Sequence, residues 1–269
     1  NDFIKNDEFD KQILSLIINP PSLERFYQNS KKVCPLVMYK KRNSYIKSFF
    51  HQIEKNGENW IIEVLKLKPV DKLSIKEKAL FAVLLPNLCL IGNKKIIDIA
   101  YEFTFSKIMT IKMIGLNSFL MFKNQKSLNL LNKFYREFSG NQTVVEKWFS
   151  MMASTNFKTN GLNLVKSLLD HEKFDYRNPN LVRAVIGSFQ KNNIELFHSN
   201  DETGYQFIYE QVKKIDKINP QISARLVLPL TRYSNYIISR QNVMKKYLNK
   251  IQSENLSKDL FEIVVKAIN

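Results

Sequence analysis

Apolar residues recur along this chain at a spacing near 3.6 from one end to the other, and sustained alternation at period two, flanked by hairpin turns, is absent. With seven glycines in 269 residues there are few places where a strand could turn back on itself, so the pattern predicts an all-α fold. Helices are expected near 8–18, 43–55, 57–66, 75–91, 94–106, 108–121, 125–138, 144–154, 160–170, 179–190, 202–217, 220–233, 236–252 and 257–268. Asn, Ser or Gly stands at most of the short connections, and no Pro/Gly/Ser linker divides the chain. One helical domain over 1–269 is therefore expected, a curved α-α superhelix or HEAT-like solenoid of about 14 helices in which each unit buries its face against its neighbours. The stretch from Pro20 to Lys41 is the least regular and reads as a packing connection.

Several helix starts are written locally. Ser74-Ile75-Lys76-Glu77 and Thr143-Val144-Val145-Glu146 both fit the capping box, in which a hydroxyl and a carboxylate satisfy each other's orphan backbone amides. The most specific signal is a doubled opening: Asn178-Pro179-Asn180-Leu181-Val182-Arg183 and Asn219-Pro220-Gln221-Ile222-Ser223-Ala224-Arg225. Asparagine caps the free amides of the first turn, and a proline just inside sets φ without losing a hydrogen bond. Each opening places one arginine on the second turn. The two are 42 residues apart (225 − 183), close to one two-helix repeat of an α-solenoid, so they are expected to project from successive repeats toward a common groove. Pro229 lies inside the second helix and removes the partner of the Arg225 carbonyl, so a kink is expected there. Gln221 and Arg225, four residues apart, share one face.

The formal charge of +16 points toward polyanions in general terms. Only eight of the 41 basic residues are arginine, however, and the lysines are scattered singly or in pairs among asparagines and isoleucines. That distribution fits solvated lysine faces better than a binding stripe. Five of the eight arginines, Arg177, Arg183, Arg225, Arg232 and Arg240, fall between 177 and 240. A planar guanidinium fork offers bidentate geometry that lysine does not, so these stand out as anion readers, with surface salt bridges as the plain alternative.

Reactive chemistry is sparse. Cys34 and Cys89 form no framework or metal pattern and read as buried thiols. His51, His171 and His198 are far apart, and His171-Glu172-Lys173-Phe174-Asp175 ends in aspartate where a zinc-protease helix needs its second imidazole, so it reads as a surface helix end. Asp170, Glu172 and Asp175 read as solvated charges. No phosphate-cradling glycine loop and no Ser/His/Asp arrangement is present, and no apolar run is long enough to span a bilayer. The residues by themselves suggest recognition of an anionic group by two forks and an amide.

The run from Asn178 to Phe189, then Phe197-His198 and Gly204-Tyr205-Gln206-Phe207, resembles the C-terminal domain of the bacterial alanyl aminopeptidase N family, zinc metallopeptidases of the gluzincin type. Asn219 to Leu226, Arg240-Gln241 and Leu256-Ser257-Lys258-Asp259-Leu260-Phe261-Glu262-Ile263-Val264 continue the likeness, and Val145-Glu146-Lys147-Trp148-Phe149 extends it upstream. It is specific over 144–269 and rests on the helical pattern alone over 1–143.

This resemblance implies that the chain is the C-terminal domain of a cytoplasmic zinc aminopeptidase releasing N-terminal residues from peptides. Its zinc, held through an H-E-x-x-H motif and a downstream Glu, belongs to an N-terminal catalytic domain absent from this chain, which alone is expected to bind no cofactor and to be inactive. The helical domain covers the active site and shapes the peptide channel. Arg183 and Arg225 resemble channel arginines that meet the free carboxylate of short peptides, and Gln221 resembles a residue bordering the pocket for the first side chain. The implied partners are the missing catalytic domain and peptide substrates, with no membrane and no specific nucleic acid. The competing readings are a basic α-solenoid that binds RNA or another polyanion, and a protein-interaction scaffold.

Overall fold

Local capping chemistry decides where most of the helices begin. A computed structural model describes residues 10–28, 30–157 and 161–269, and the expected helical residues 8, 9 and 160 lie outside this set. Helices account for nearly all regular structure, and among the described residues no β-strand forms; one isolated bridge pairs Val33 with Tyr236. The all-α expectation holds.

The chain divides into two compact units, one built from residues up to Arg25 with Lys40–Leu131, the other from Phe26–Tyr39 with Asn132–Asn269. The first unit opens with α1 (Lys11–Ile18), capped by the Asp10 carboxylate, which accepts from the Gln12 amide at 2.8 Å. A short α2 (Leu23–Tyr27) and a long α3 (Pro35–Leu67) follow. The expected break near 56 does not occur: α3 runs unbroken through Gly57. A Cβ at Gly57 would stand 3.3 Å from the side chains of Leu84 and Leu88, so the missing side chain is a packing feature that offsets the roughly 1 kcal/mol a helical glycine costs. The helix α4 (Ile75–Leu90) has the expected capping box, with Glu77 accepting from the Ser74 amide at 2.7 Å and Ser74 accepting from the Glu77 amide at 3.2 Å. The remaining helices here are α5 (Lys94–Phe103), α6 (Met109–Leu120) and the first part of α7 (Gln125–Phe138). Trp60, Phe81 and Phe103 stack in sequence through the core, with ring centroids 5.1 and 5.7 Å apart.

In the second unit α8 (Gln142–Ser154) begins earlier than the motif at Thr143 indicates. Its cap is Asn141, which accepts from the Val144 amide at 3.2 Å, and Thr143 lies inside the first turn. Then come α9 (Gly161–Leu169), α10 (Pro179–Val182), a π-helical turn over Arg183–Gly187, α11 (Ser188–Asn192) and α12 (Ile194–Phe197). The unit closes with α13 (Thr203–Asp216), α14 (Pro220–Thr231), α15 (Ile238–Gln252) and α16 (Lys258–Ile268). The irregular stretch after Pro20 contributes a strap to this unit. Val33 donates to the Asn235 carbonyl at 2.9 Å and accepts from the Ile237 amide at 3.0 Å, while the Lys32 ammonium donates to the Ser234 carbonyl at 2.6 Å.

The two cysteines differ from expectation in one respect. Cys89 is buried, and desolvation pushes its thiol up to about 12, but Cys34, between buried Val33 and Pro35, is only half-buried.

Candidate functional site

The second Asn-Pro opening is built as its sequence requires. Asn219 accepts from the Ile222 amide at 3.2 Å and Pro220 is the first helical residue. Ile222, Ser223, Ala224, Leu226, Val227 and Leu230 are buried, and the Ser223 hydroxyl donates to the Val212 carbonyl of α13 at 2.8 Å. With that face committed to packing, Gln221 and Arg225 are left exposed one turn apart. The helix continues past Pro229, which has no amide to offer the Arg225 carbonyl. Among the described residues no ion pair or hydrogen bond engages the Arg225 guanidinium. The geometry leaves a whole cation fork and an amide presented side by side to solvent.

The first opening shares the cap and differs beyond it. Asn178 accepts from the Asn180 amide at 2.9 Å, and Leu181 and Val182 are buried. From Arg183 the backbone widens into the π turn, in which the Ser188 amide bonds the Arg183 carbonyl five residues back. Ser188 also places its hydroxyl 3.4 Å from that carbonyl and 2.7 Å from the Ser150 hydroxyl of α8. Single π turns inside helices are concentrated at functional sites. Arg183 is exposed, but its guanidinium folds back onto its own first turn: Nε donates to the Pro179 carbonyl at 3.3 Å and Nη2 donates to Asn180 Oδ1. Sequence reasoning singled out the arginine and passed over Asn180.

One hydrogen bond ties α11, which follows the first opening, to α14. Gln190 of α11 is buried and its amide donates to the Leu226 carbonyl of α14 at 2.8 Å, one residue beyond Arg225. Seven residues separate Arg183 from Gln190, roughly 10 Å of helix. Between the openings in sequence lies a buried joint in which His198 Nδ1 meets the Tyr205 hydroxyl at 2.6 Å. Burial, aided by the Arg240 charge, pushes the His198 imidazole down to about 3, and burial raises the Tyr205 phenol. Gly204 is required beside it: a Cβ there would come within 2.3 Å of the Leu196 carbonyl oxygen.

Of the other arginines in this stretch, Arg232 is exposed with no ion pair or hydrogen bond among the described residues, and two have local duties. Arg240 donates to the Ser199 carbonyl at 3.2 Å and to Asn200 Oδ1 at 3.1 Å, and Arg177 pairs with Asp175 at 3.5 Å in an exposed contact of the kind worth little in water. His171 is not a bare surface helix end. It lies past the end of α9 with its ring packed edge-on to Tyr135 and Phe149, at 5.1 and 5.4 Å, and desolvation lowers its pKa. Glu172 accepts from the Tyr135 hydroxyl at 3.5 Å.

The described residues do not fit a zinc centre. No group of three or more His, Cys, Asp or Glu side chains converges among them. His198 spends Nδ1 on Tyr205, and His171 spends Nδ1 on the Lys173 amide at 3.1 Å. Nor is any helix among the described residues long and apolar enough to cross a membrane.

The structure thus defines an all-helical chain of two compact units that presents polar and cationic side chains and carries no reacting constellation among its described residues. Over residues 1–269 the sequence matches the family described as a domain of unknown function (DUF3458_C) with ARM repeats, and the chain belongs to that family. Similar proteins include aminopeptidase N of Haemophilus influenzae, 39% identical over 140 residues, and aminopeptidase N of Escherichia coli, 37% identical over 140 residues; each match takes in 52% of this chain and 16% of the relative. Aminopeptidase N of Caulobacter vibrioides is 32% identical over 139 residues, 51% of this chain and 16% of the relative. The matched part spans about a sixth of the length of these curated relatives. A solved structure, Legionella pneumophila aminopeptidase A in complex with aspartic acid, superposes with a TM-score of 0.82 at 24% identity, over 99% of this chain and 32% of that one, a likeness of fold. The resemblance to aminopeptidase N read in the sequence is matched by these relatives, and they do not favour the polyanion and scaffold readings.

Proposed function

We propose that this chain is the C-terminal helical part of a zinc-dependent, cytoplasmic aminopeptidase that releases N-terminal residues from peptides, and that it covers the active site and shapes the peptide channel. In this reading the chain supplies geometry. The zinc and the groups that polarise the scissile bond belong to a catalytic domain outside this sequence, which is the chain's principal partner. Arg225 and Arg183 receive the free carboxylate of short peptides, since a guanidinium fork matches a carboxylate bidentately, and Gln221 borders the pocket for the first side chain. Holding one end of a substrate orients the other, and orientation lowers a barrier without a reactive group at the point of contact.

The observation that carries the proposal is Arg225, outward, unengaged among the described residues and one turn from exposed Gln221, on a chain whose relatives are aminopeptidases. A crystal structure of the complete enzyme with a slowly cleaved tripeptide tests it. The expected result is a peptide carboxylate at charge-assisted hydrogen-bond distance, about 2.7–2.9 Å, from the Arg225 guanidinium. A carboxylate held by other groups, with Arg225 facing bulk solvent, would reject it.

A further inference from the structure

The manner in which Arg183 is held carries information beyond its presence. A guanidinium has five N–H donors in a planar fork. Two are used within the first turn of the same helix, Nε on the Pro179 carbonyl at 3.3 Å and Nη2 on Asn180 Oδ1. Both lie along one edge of the fork, the edge made by Nε and Nη2. The end-on edge, with one N–H from each terminal nitrogen, has no hydrogen-bond partner among the described residues.

Each element of this clamp is fixed independently of Arg183. The Asn178 side chain bonds the Asn180 amide at 2.9 Å, and Pro179 has its φ set by its ring. On the other side, the Arg183 carbonyl is taken by the Ser188 amide in the π turn, and the Ser188 hydroxyl is tied to Ser150 at 2.7 Å. Backbone and side chain of Arg183 are thus restrained at both ends, although the residue is exposed. Asn180 is neutral, so it orients the guanidinium without cancelling its charge; an aspartate at this position would do both. On a surface where lysine is the usual cation, such a restrained arginine is suited to a planar dianionic or carboxylate partner.

We infer that Asn180 is a positioning residue that turns the free edge of the Arg183 fork toward the carboxylate end of a bound peptide. This rests on the reading of Arg183 as a substrate-binding residue, and the two are separable. Asn180 is exposed and is not the helix cap, so its replacement leaves the helix start in place.

The test is steady-state kinetics of the complete enzyme on a tripeptide and on the same tripeptide with an amidated C-terminus, taking the ratio of kcat/KM for acid over amide as carboxylate discrimination. N180A is expected to lower that ratio roughly fivefold, the fold-change of one net hydrogen bond, with the change carried by KM. N180D is expected to lower it at least as far, because the clamp is kept but a negative charge now faces the incoming carboxylate. In the double variant N180A/R183A, the effect of N180A is expected to vanish, since there is no fork left to orient. Loss of discrimination in R183A with none in N180A or N180D would overturn the inference and leave the binding role of Arg183 intact. Unchanged discrimination in R183A itself would overturn both. Thermal melts of each variant separate these outcomes from misfolding, and a destabilised N180A hands the decision to N180D.

Discussion

The two Asn-Pro openings begin with the same device and end differently. At Asn219 the helix continues past an internal proline and leaves Arg225 outward and unengaged among the described residues. At Asn178 the helix widens into a π turn and draws Arg183 back onto Pro179 and Asn180. A cap determines where a helix starts and which residues its first turn contains. What the arginine one turn later does depends on the neighbours of that turn: for Arg225 the buried Ser223 and Leu226 leave it one direction, outward, and for Arg183 an amide three residues back offers an acceptor. One fork is left without a partner among the described residues, the other is held by its own first turn.

The contact through Gln190 ties α11 to α14, and removing it is the strongest way to break the comparison. Gln190→Ala deletes a buried hydrogen bond and leaves a cavity where the side chain stood, for an expected loss of about 1–3 kcal/mol in urea unfolding of this chain. A transition that does not move would mean that the helices register through apolar packing alone. A smaller effect sharpens the contrast between the caps. Asn178→Ala and Asn219→Ala should each cost about 1 kcal/mol. In the first, loss of the cap also frees the Asn180 amide, so hydrogen exchange in 180–183 should accelerate alongside the fall in stability, whereas the second should leave that segment protected. Equal protection at 180–183 in both variants would show that the clamp does not depend on its cap.

Much of this was readable from sequence because it is local. The capping box at Ser74, the caps at Asn178 and Asn219 and the exposed pair Gln221 and Arg225 all follow from spacing within one or two turns. The misreadings share a cause, competition from something more distant or slightly earlier in the chain. Thr143 was outbid as a cap by Asn141 two residues before it. A break was expected at 56, beside Gly57, because the leucines that pack over that glycine, Leu84 and Leu88, lie about thirty residues away. The π turn leaves no local signature, since Ser188 is tied to Ser150 on another helix. The strap at Val33 is silent for the same reason, its partners being Asn235 and Ile237. Asn180 was within reach, three residues from Arg183 on the same helix face. Spacing alone does not mark a neutral amide, in place of an opposite charge, as the partner of that guanidinium.

Removing the open fork is the most direct test of the account. In the complete enzyme, Arg225→Ala should weaken kcat/KM for a free-acid tripeptide by roughly ten- to a hundredfold, the size of a lost charge-assisted pair of about 1.5–3 kcal/mol, while the amidated tripeptide changes far less. Equal losses on both peptides, or no loss on either, would contradict the claim that this helical surface reads the carboxylate end of a peptide.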